Sequence, residues 1–482
     1  MDVKKVRRAR EGLRLIRMAQ MVSTLLILGA TGDLSSRLLL PALGQLVTRQ
    51  PDRRLNLVGA GREDWTQEHW HDVLVSSFAA VDASGESVDR LVSGTRYQCI
   101  DVNDPEALAA LLATCEGPIA LYFALPPAIA AQACETLAAR ELPEGTVLAL
   151  EKPFGIDEAS ARALNQRLAD LVPEDRVHRV DHFLGRSTVM NILGLRFANR
   201  VIEPLWSAEH IDSIAIIYDE QLGLEGRAAY YDKAGALTDM IQSHLLQVLA
   251  VIAMEPPSTL DASDLRDAKG AALRATLLRD NDPVASSRRA RYTAGSITGR
   301  TLPAYVEENG VDPRRNTETL AELTVEIDTV RWSGVPFTLR SGKALGERRR
   351  EVVIRFKAVP YLPKGFHGTD EPSVLRLFLA PDKMALELMI NGPGDPYSLE
   401  RASLEATFGE GELLAYAEVI SGILDDDPSL SVRGDAAEEC WRIVQPVLDA
   451  WRAGTAPLDE YSAGSGGPEG WPPTELQRPE TT

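Results

Sequence analysis

The feature of this sequence that most constrains its fold is a strand, a glycine turn and a helix near the N-terminus, which begin a longer alternation. The apolar run Thr24–Leu28 has strand character, and a helical pattern of leucines follows the glycine segment. Further strands are predicted near residues 96–100, 119–124, 146–150 and 177–180. Helices are predicted between them at residues 105–114, 128–139 and 157–169. Strands separated by helices predict a Rossmann-like, doubly wound parallel sheet.

The segment between the first strand and its helix has the composition of a phosphate-binding turn. It contains Gly29, Gly32, Asp33 and Leu34. Glycine lets a pyrophosphate approach the backbone, and the start of the next helix offers N–H donors and the positive end of its dipole. The G-x-x-G pattern is shorter than the full dinucleotide fingerprint, so a tight turn without a ligand remains an alternative.

The second strand, near Leu55–Gly59, is followed by Arg62 and Glu63. An arginine here suits the 2′-phosphate of NADP, whereas an acid suits the ribose hydroxyls of NAD. Arg62 therefore favours NADP, and Glu63 leaves NAD open. A solvated surface arginine is the alternative interpretation of Arg62.

Two charged motifs follow later strands of the predicted sheet. Lys152 lies in Glu151–Gly155, at the carboxyl edge where ligands bind in such sheets, and a salt-bridged turn is the alternative. The segment Arg179–Arg186 combines an acid, an imidazole and a guanidinium within a short stretch. These groups are Asp181, His182 and Arg186. We interpret this stretch as the joint between a cofactor half and a substrate half.

The second half of the chain begins with a strand pattern at Ile211–Tyr218, followed by Glu220. Residues 236–254 predict a buried helix with a polar stripe. The stripe consists of Asp239, Gln242, Ser243, His244 and Gln247. At about 100° per residue these side chains share one arc. A lone buried histidine is usually a core residue, but five polar residues on one arc favour a site.

Strand-like runs without intervening helices return after residue 320 and predict a mainly antiparallel sheet flanked by helices. The runs are Thr324–Ile327, Val335–Leu339, Glu351–Phe356, Val374–Leu379 and Met384–Ile390. A basic turn, Arg340–Leu345, contains Lys343, and Arg348 lies just beyond it. A solvated basic turn without a ligand is the alternative.

A chain of 482 residues is longer than one core usually serves, so we predict separate domains. We expect a basic, disordered N-terminal arm, a dinucleotide-binding domain, a substrate-binding and oligomerisation domain, and a disordered tail rich in Gly, Pro and Glu. Their bounds are 1–21, 22–180, 181–462 and 463–482. For the arm, a transit peptide or a true start at Met21 are alternatives.

The net charge of −19 disfavours non-specific binding to nucleic acid or to an anionic membrane. No apolar run reaches the roughly 18 residues of a membrane helix. The four cysteines show neither CxxC pairs nor metal-ligand spacing with histidine, which predicts reduced thiols, a cytoplasmic protein and no metal. They are Cys99, Cys115, Cys134 and Cys440.

Taken together, these motifs resemble the glucose-6-phosphate dehydrogenase family from about residue 24 to about residue 450. Each motif alone is weak evidence for this family, whereas the order and spacing of all the motifs together are specific to it. The pieces are Gly29–Leu34 with Pro41–Leu43, Glu151–Gly155, Arg179–Arg186, Arg196–Asn199, Tyr230–His244, Thr317–Thr319, Ile327–Asp328 and Val335–Leu345.

The resemblance implies oxidation of D-glucose 6-phosphate at C1 to 6-phospho-D-glucono-1,5-lactone with NADP, at the start of the pentose phosphate pathway. It also implies a cytoplasmic homodimer or homotetramer. His244 would be the general base and Asp181 its carboxylate partner. Pro153 would occupy a cis-proline position. The substrate site would comprise Lys152, His182, Arg186, Glu220, Asp239, Lys343 and Arg348. The cofactor site would comprise Gly29, Gly32, Asp33, Leu34, Arg62 and Lys152.

The chemistry also fits these residue types. A neutral imidazole removes a hydroxyl proton near pH 7, and a carboxylate on its other nitrogen orients it. The hydride acceptor must be a cofactor, because no side chain accepts hydride.

Three positions depart from the family pattern. Phe183 stands where most members carry Tyr, Arg186 where Lys is usual, and Leu38 where many carry Lys. Arginine keeps the charge, but the other two changes remove donors. A paralogue acting on another aldose phosphate therefore stays an alternative. A non-catalytic regulatory homologue is a third hypothesis, which the presence of both His244 and Asp181 disfavours.

Overall fold

The structure is a computed structural model that describes residues 22–138, 141–226, 228–407, 413–472 and 474. The predicted N-terminal arm lies outside these residues. The chain divides into two compact units. Unit 1 comprises Met1–Arg186, Pro257–Asp267 and Gly411–Glu438, and unit 2 comprises Ser187–Pro256, Ala268–Glu410 and Glu439–Thr482. The sequence places one boundary at residue 181, whereas two later segments also belong to unit 1.

The helices and strands are numbered in chain order. The α-helices are α1 (Leu40–Arg49), α2 (Gln67–Ala79), α3 (Glu86–Gly94), α4 (Pro105–Ala113), α5 (Pro127–Ala138), α6 (Glu158–Leu171), α7 (Ser187–Phe197), α8 (Ala228–Ala236), α9 (Leu246–Ala253), α10 (Ala262–Arg274), α11 (Ala415–Leu424) and α12 (Gly434–Arg452). Two π-helices span Ser35–Leu39 and Leu237–Leu245. The strands are β1 (Thr24–Leu28), β2 (Asn56–Gly61), β3 (Arg96–Cys99), β4 (Ile119–Phe123), β5 (Val147–Glu151), β6 (Val177–Val180), β7 (Ile211–Asp219), β8 (Thr276–Leu278), β9 (Ser287–Thr293), β10 (Gly295–Ile297), β11 (Arg300–Leu302), β12 (Leu320–Ile327), β13 (Phe337–Gly342), β14 (Arg350–Phe356), β15 (His367–Gly368), β16 (Val374–Leu379), β17 (Asp382–Asn391), β18 (Ser398–Thr407), β19 (Ser431–Val432) and β20 (Leu458–Ser462).

Unit 1 is built around a sheet with the strand order β19-β6-β5-β4-β1-β2-β3. Strands β1 to β6 pair in parallel, and β19 is antiparallel to β6. All residues of β1 and β4 are buried, as expected for a sheet covered on both faces. The predicted doubly wound fold is confirmed. The strand order reverses between β1 and β4, the point at which such sheets bind ligands.

Local capping sets the start of several helices in this unit. Helix α4 begins with Pro105, and the Asp104 carboxylate accepts the N–H groups of Glu106 and Ala107 at 3.0 and 3.2 Å. Helix α6 begins with a reciprocal capping box between Asp157 and Ser160. These are short-range signals, which is why the sequence predicts these helices closely.

Unit 2 is built around a second sheet with the order β15-β18-β17-β16-β14-β7-β13-β12-β9-β20, and β8 pairs with β12. Most neighbours are antiparallel, while the pairs β7–β13, β9–β20 and β15–β18 are parallel. The predicted mainly antiparallel sheet is confirmed. Strands β7 and β13 lie at its centre, and Glu220 and Lys343 directly follow them.

The predicted disordered tail is wrong for residues 463–472. Strand β20 adds to β9, and the chain then folds back through a series of glycine turns. The N–H of Gly464 donates to the carbonyl of Ala344 at 2.8 Å, and the N–H of Gly346 donates to Ser465 at 2.8 Å. Glycine and proline here build tight turns, so composition alone gave the wrong prediction.

Within the part of the chain that the structure describes, one helical stretch, Tyr230–Ala253, is long and apolar enough to cross a membrane. However, 83% of its most apolar window is buried inside the protein. That burial is typical of a core helix.

Candidate active site

The glycine turn of unit 1 has the geometry of a nucleotide cradle. Gly29 adopts φ +88°, and an added Cβ would lie 2.3 Å from the carbonyl oxygen of Ala124. The N–H groups of Gly29 and Ala30 donate to the carbonyl of Ala60 at 2.8 and 2.9 Å. The turn leads through Asp33 and Leu34 into the π-helix Ser35–Leu39. Only glycine fits at residue 29, and the helix start that follows the turn is an element that suits a pyrophosphate.

The two residues that bear on cofactor choice differ in their surroundings. The Glu63 carboxylate accepts a hydrogen bond from the Thr31 hydroxyl at 2.5 Å. That bond holds the pKa of Glu63 below its usual range. Arg62 is exposed, and its carbonyl accepts from the thiol of Cys99 at 3.5 Å. Glu63 is thus tied to the glycine turn, while the guanidinium of Arg62 lies at the protein surface.

Lys152 follows β5 at the carboxyl edge of the same sheet, and the Lys152–Pro153 peptide bond is cis. The family-based expectation for Pro153 is therefore confirmed. The neighbouring Glu151 carboxylate accepts a hydrogen bond from the Tyr122 hydroxyl at 2.5 Å. Burial raises the pKa of Glu151 to about 7, although the Tyr122 hydrogen bond lowers it. The sequence gave no separate role to Glu151, because its partner lies on a different strand.

The segment after β6 forms a compact turn. The Asp181 side chain, 1% exposed, accepts the N–H of Phe183 at 2.9 Å. The His182 ring stacks on Tyr416 with centroids 5.4 Å apart. The Arg186 guanidinium lies 4.7 Å from the centre of the buried Phe183 ring. The turn therefore holds Asp181, His182 and Arg186 together, and Phe183 supports Arg186 by a cation–π contact.

In unit 2 the structure brings Glu220 and Lys343 together. The Lys343 Nζ donates to one oxygen of Glu220 at 2.8 Å, and Arg350 donates to the other at 2.8 Å. Lys343 also lies 5.1 Å from the centre of the Tyr231 ring. Two cations and one carboxylate leave a net positive, hydrogen-bonding cluster, which suits hydroxyl groups or an anion.

Arg348, the arginine expected in this region, is exposed, and Arg350 contacts Glu220 instead. The sequence reads Arg348-Arg349-Arg350, so residue type alone cannot distinguish them. Strand β14 begins at Arg350 and pairs with β7, and this pairing sets which arginine faces Glu220. Sequence reasoning missed Arg350 for this reason.

The helix that carries Asp239 and His244 is a π-helix over Leu237–Leu245 and continues as α9. His244 is 1% exposed. Asp239 accepts a hydrogen bond from the Tyr230 hydroxyl at 3.3 Å. π-Helical segments often occur at functional sites. His244 belongs to unit 2 and Asp181 to unit 1, so the predicted pair remains a prediction.

The predicted polar stripe lies on the π-helix and the start of α9 rather than on a single α-helix. The Gln247 amide donates to Cys440 Sγ at 3.5 Å. The Ser243 hydroxyl donates to the backbone carbonyl of Asp239 at 3.0 Å. Gln247 and Ser243 therefore serve structural contacts.

Unit 1 offers the buried Asp181 carboxylate and unit 2 the buried His244 imidazole, and each of these residue types suits general acid–base chemistry. Unit 1 supplies a backbone cradle for a dinucleotide, and unit 2 supplies polar groups suited to a sugar. The combination is that of a nicotinamide-dependent oxidation, in which a side chain accepts a proton and the cofactor accepts a hydride.

Comparison with known proteins identifies relatives over both units. The family model described as glucose-6-phosphate dehydrogenase, NAD binding domain, matches residues 26–191. The model of the C-terminal domain of the same family matches residues 193–473. A relative named glucose-6-phosphate 1-dehydrogenase, from Gluconobacter oxydans, is 39% identical over 464 residues, covering 92% of this chain and 94% of the relative.

Solved structures of the same family are also similar to this chain. The crystal structure of glucose-6-phosphate 1-dehydrogenase from Mycobacterium avium is 35% identical, with a TM-score of 0.82, covering 93% of this chain and 95% of that one. A glucose-6-phosphate dehydrogenase solved in complex with its substrate glucose-6-phosphate is 28% identical, with a TM-score of 0.84, covering 94% and 96%. The fold and the family assignment therefore rest on more than nine-tenths of the chain.

Proposed function

The chain belongs to the glucose-6-phosphate dehydrogenase family, and on that premise we propose that it oxidises D-glucose 6-phosphate at C1 to 6-phospho-D-glucono-1,5-lactone. This is the first oxidative step of the pentose phosphate pathway. The observation that carries the proposal is the combination, in one family fold, of the Gly29 cradle with the buried His244 and the Glu220–Lys343 cluster. A relative solved with glucose-6-phosphate supports this substrate over another aldose phosphate.

We assign His244 as the general base. It would remove the proton of the C1 hydroxyl while the hydride leaves C1, and Asp181 would orient the imidazole and stabilise its cation. A nicotinamide cofactor, when bound, supplies the hydride acceptor. The burial of His244 and of Asp181 supports these roles, because water excluded from the site strengthens their electrostatic effect.

We assign the sugar phosphate to His182 and Arg186, and the sugar hydroxyls to Lys152, Glu220, Asp239 and Lys343. The Phe183–Arg186 contact supports phosphate binding without a tyrosine hydroxyl, because the ring holds the guanidinium in place. Arginine can also bind a phosphate through two parallel hydrogen bonds. We add Arg350 to this group, since it shares Glu220 with Lys343.

We propose NADP as the preferred cofactor, held by Arg62 with Gly29, Gly32, Asp33, Leu34 and Lys152 on the same sheet edge. The exposure of Arg62 supports a contact with a 2′-phosphate. The hydrogen bond from Thr31 keeps the Glu63 carboxylate anionic beside the glycine turn, and Glu63 is therefore the group that would favour NAD instead. Initial rates with NADP and with NAD test the preference, and a higher kcat/KM with NAD would contradict it.

The central experiment measures reduced nicotinamide formed by the purified protein from glucose 6-phosphate. His244→Asn should lower kcat by roughly 10²–10⁴ and leave the fold intact. Ser243→Ala is the matched control. Among the residues that the structure describes, the Ser243 hydroxyl bonds only to helix backbone, so the kcat of this variant should stay within about threefold of the parent. An active His244→Asn variant would refute the mechanism. A substrate panel in which another aldose phosphate ranked first would refute the substrate.

We also propose a cytoplasmic homodimer or homotetramer assembled through the large sheet. The four cysteines are free thiols, which supports a reducing compartment. Strands β17 and β18 expose Ile390 and Leu404 by 51% and 62%, which supports a second copy of the chain covering them. Leu404→Arg should shift the protein toward the monomer in sedimentation velocity, and an unchanged oligomer would contradict this interface.

A further inference from the structure

A buried acid lies at the start of the helix that carries His244. Glu318 is 6% exposed and precedes β12 by two residues. Its carboxylate accepts the N–H of Leu237 at 3.0 Å, and Leu237 is the first residue of the π-helix. No side chain of the residue before that helix caps it. Glu318 therefore acts as an N-cap supplied from a distant part of the chain, which also interacts favourably with the helix dipole.

The backbone of the helix is shaped to admit this carboxylate. Gly235 adopts φ +68° just before the π-helix. A Cβ at that position would lie 2.2 Å from Oε1 of Glu318 and 2.6 Å from its carboxyl carbon. The space at Gly235 is therefore the space that Glu318 occupies, and the two residues form a matched pair.

The two threonines beside Glu318 fix its position. The Thr317 hydroxyl donates to the carbonyl of Asp232 in α8 at 2.6 Å. The Thr319 hydroxyl pairs with Tyr461 at 2.9 Å, and the Thr319 carbonyl accepts the N–H of Lys343 at 2.8 Å. One tripeptide thus contacts both the His244 helix and the Lys343 turn, two elements assigned to the substrate.

The charged and titratable groups around Glu318 come from several elements. Arg289 of β9 favours its anionic form, while Tyr231 of α8 and Tyr305 interact with it electrostatically. Burial raises the pKa of Glu318 to about 7, and the Leu237 N–H acts in the opposite direction. The Glu318 carboxylate is thus held by backbone N–H groups at the start of the helix.

We propose that Glu318 is a positioning residue for His244. By capping the first N–H groups of the π-helix, it fixes the depth and rotation at which the helix presents Asp239 and His244. The proposal rests on the proposed role of His244 as the base. Because His244 acts in the chemical step whereas Asp239 is one of several proposed substrate contacts, loss of Glu318 should lower kcat by more than it raises the KM for the sugar phosphate.

The test compares Glu318→Ala, Glu318→Gln and Glu322→Gln. Glu322 is a buried acid on β12 that accepts a hydrogen bond from Thr474 at 2.8 Å, so its variant controls for loss of a buried charge. We expect Glu318→Ala to lower kcat at least about tenfold with both KM values within about threefold. Glu318→Gln keeps one acceptor oxygen and should lose only about two- to fivefold in kcat. Glu322→Gln should resemble the parent.

Hydrogen exchange of the amides of residues 237–245 provides a readout that does not depend on the reaction. Exchange should accelerate in Glu318→Ala, less in Glu318→Gln, and not in Glu322→Gln. Parental exchange and kcat in a folded Glu318→Ala variant would overturn the proposal. If that variant does not fold, parental values in Glu318→Gln would overturn it. A parent protein inactive on glucose 6-phosphate would refute the proposed function, whereas the exchange data would still test the cap.

Discussion

The turn at Gly29, which we assign to the cofactor, and the turn at Lys343, which we assign to the substrate, solve the same problem, a turn at a strand end, in opposite ways. The cofactor turn at Gly29 uses a glycine with φ +88° and hydrogen bonds to one neighbouring strand. The substrate turn at Lys343 places Ala344, a non-glycine residue, at φ +52° and fully buried. A left-handed conformation costs an L-residue roughly 1–2 kcal/mol.

The substrate turn offsets this cost with contacts from distant segments. The Ala344 N–H donates to Leu222 at 2.9 Å, and the Ala344 carbonyl accepts the N–H of Gly464 at 2.8 Å. The Tyr461 hydroxyl donates to the carbonyl of Lys343 at 2.7 Å. The cofactor turn is thus set by local residue type, and the substrate turn by tertiary contacts. Substitutions or deletions at one turn should therefore affect the ligand assigned to that turn more than the other ligand.

The largest effect should follow Gly29→Ala. Its Cβ would meet the Ala124 carbonyl at 2.3 Å, so the cradle must distort. We expect the Kd for the dinucleotide, measured by titration calorimetry, to rise at least about a hundredfold. Gly32→Ala is the comparison within the same turn, since its Cβ would lie 3.3 Å from Gly29 and its backbone is not left-handed, and it should have a smaller effect. Equal effects would show that the turn is not set by Gly29.

Deleting residues 463–482 should damage the substrate turn and spare the cofactor turn. The deletion removes the backbone bonds from Gly464 and Ser465 and the carbonyl of Gly466 that accepts from Arg340 at 2.9 Å. We expect the free energy of unfolding to fall by about 2–5 kcal/mol and the KM for the sugar phosphate to rise. Deleting only residues 475–482 keeps these contacts and is the control. An equal rise in the KM for the dinucleotide would contradict the prediction that the deletion affects only the Lys343 turn.

Replacing Glu220 by Gln should specifically weaken binding of the sugar phosphate. Lys343 and Arg350 would lose their shared carboxylate, at a cost of about 1.5–3 kcal/mol, or roughly ten- to a hundredfold in KM. Glu225→Gln is the matched control, because Glu225 forms a surface ion pair with Arg300 and should have little effect. Steady-state kinetics with each substrate varied in turn provide the measurement, and an unchanged sugar phosphate KM would contradict the assignment.

The smallest effect should be a pH dependence of stability that arises in the cofactor half. Glu151 has a pKa near 7 in the folded protein, above its unfolded value, so it stabilises the fold below about pH 4.5 and loses that stabilisation as pH rises toward 7. Glu151→Gln should narrow the difference in unfolding free energy between pH 5 and pH 8 by about 1–2 kcal/mol. Denaturant titrations of the parent and the variant at both pH values measure this difference. The same difference in both proteins would contradict the prediction.

The sequence by itself determined the alternation that forms the first sheet, the glycine at residue 29 and the mainly antiparallel character of the second sheet. It also determined family membership, through the order of short motifs. These features follow from hydrophobic periodicity and local backbone preference, which act within a few residues.

Only the tertiary structure decided which arginine joins Glu220, how Glu318 caps the His244 helix, and that residues 463–472 pack against the Lys343 turn. It also replaced the expected α-helix by a π-helix over Leu237–Leu245. Each of these depends on residues far apart in the chain, such as Glu318 and Leu237, whose meeting is set by strand register and packing. Local pattern contains no information on such pairings.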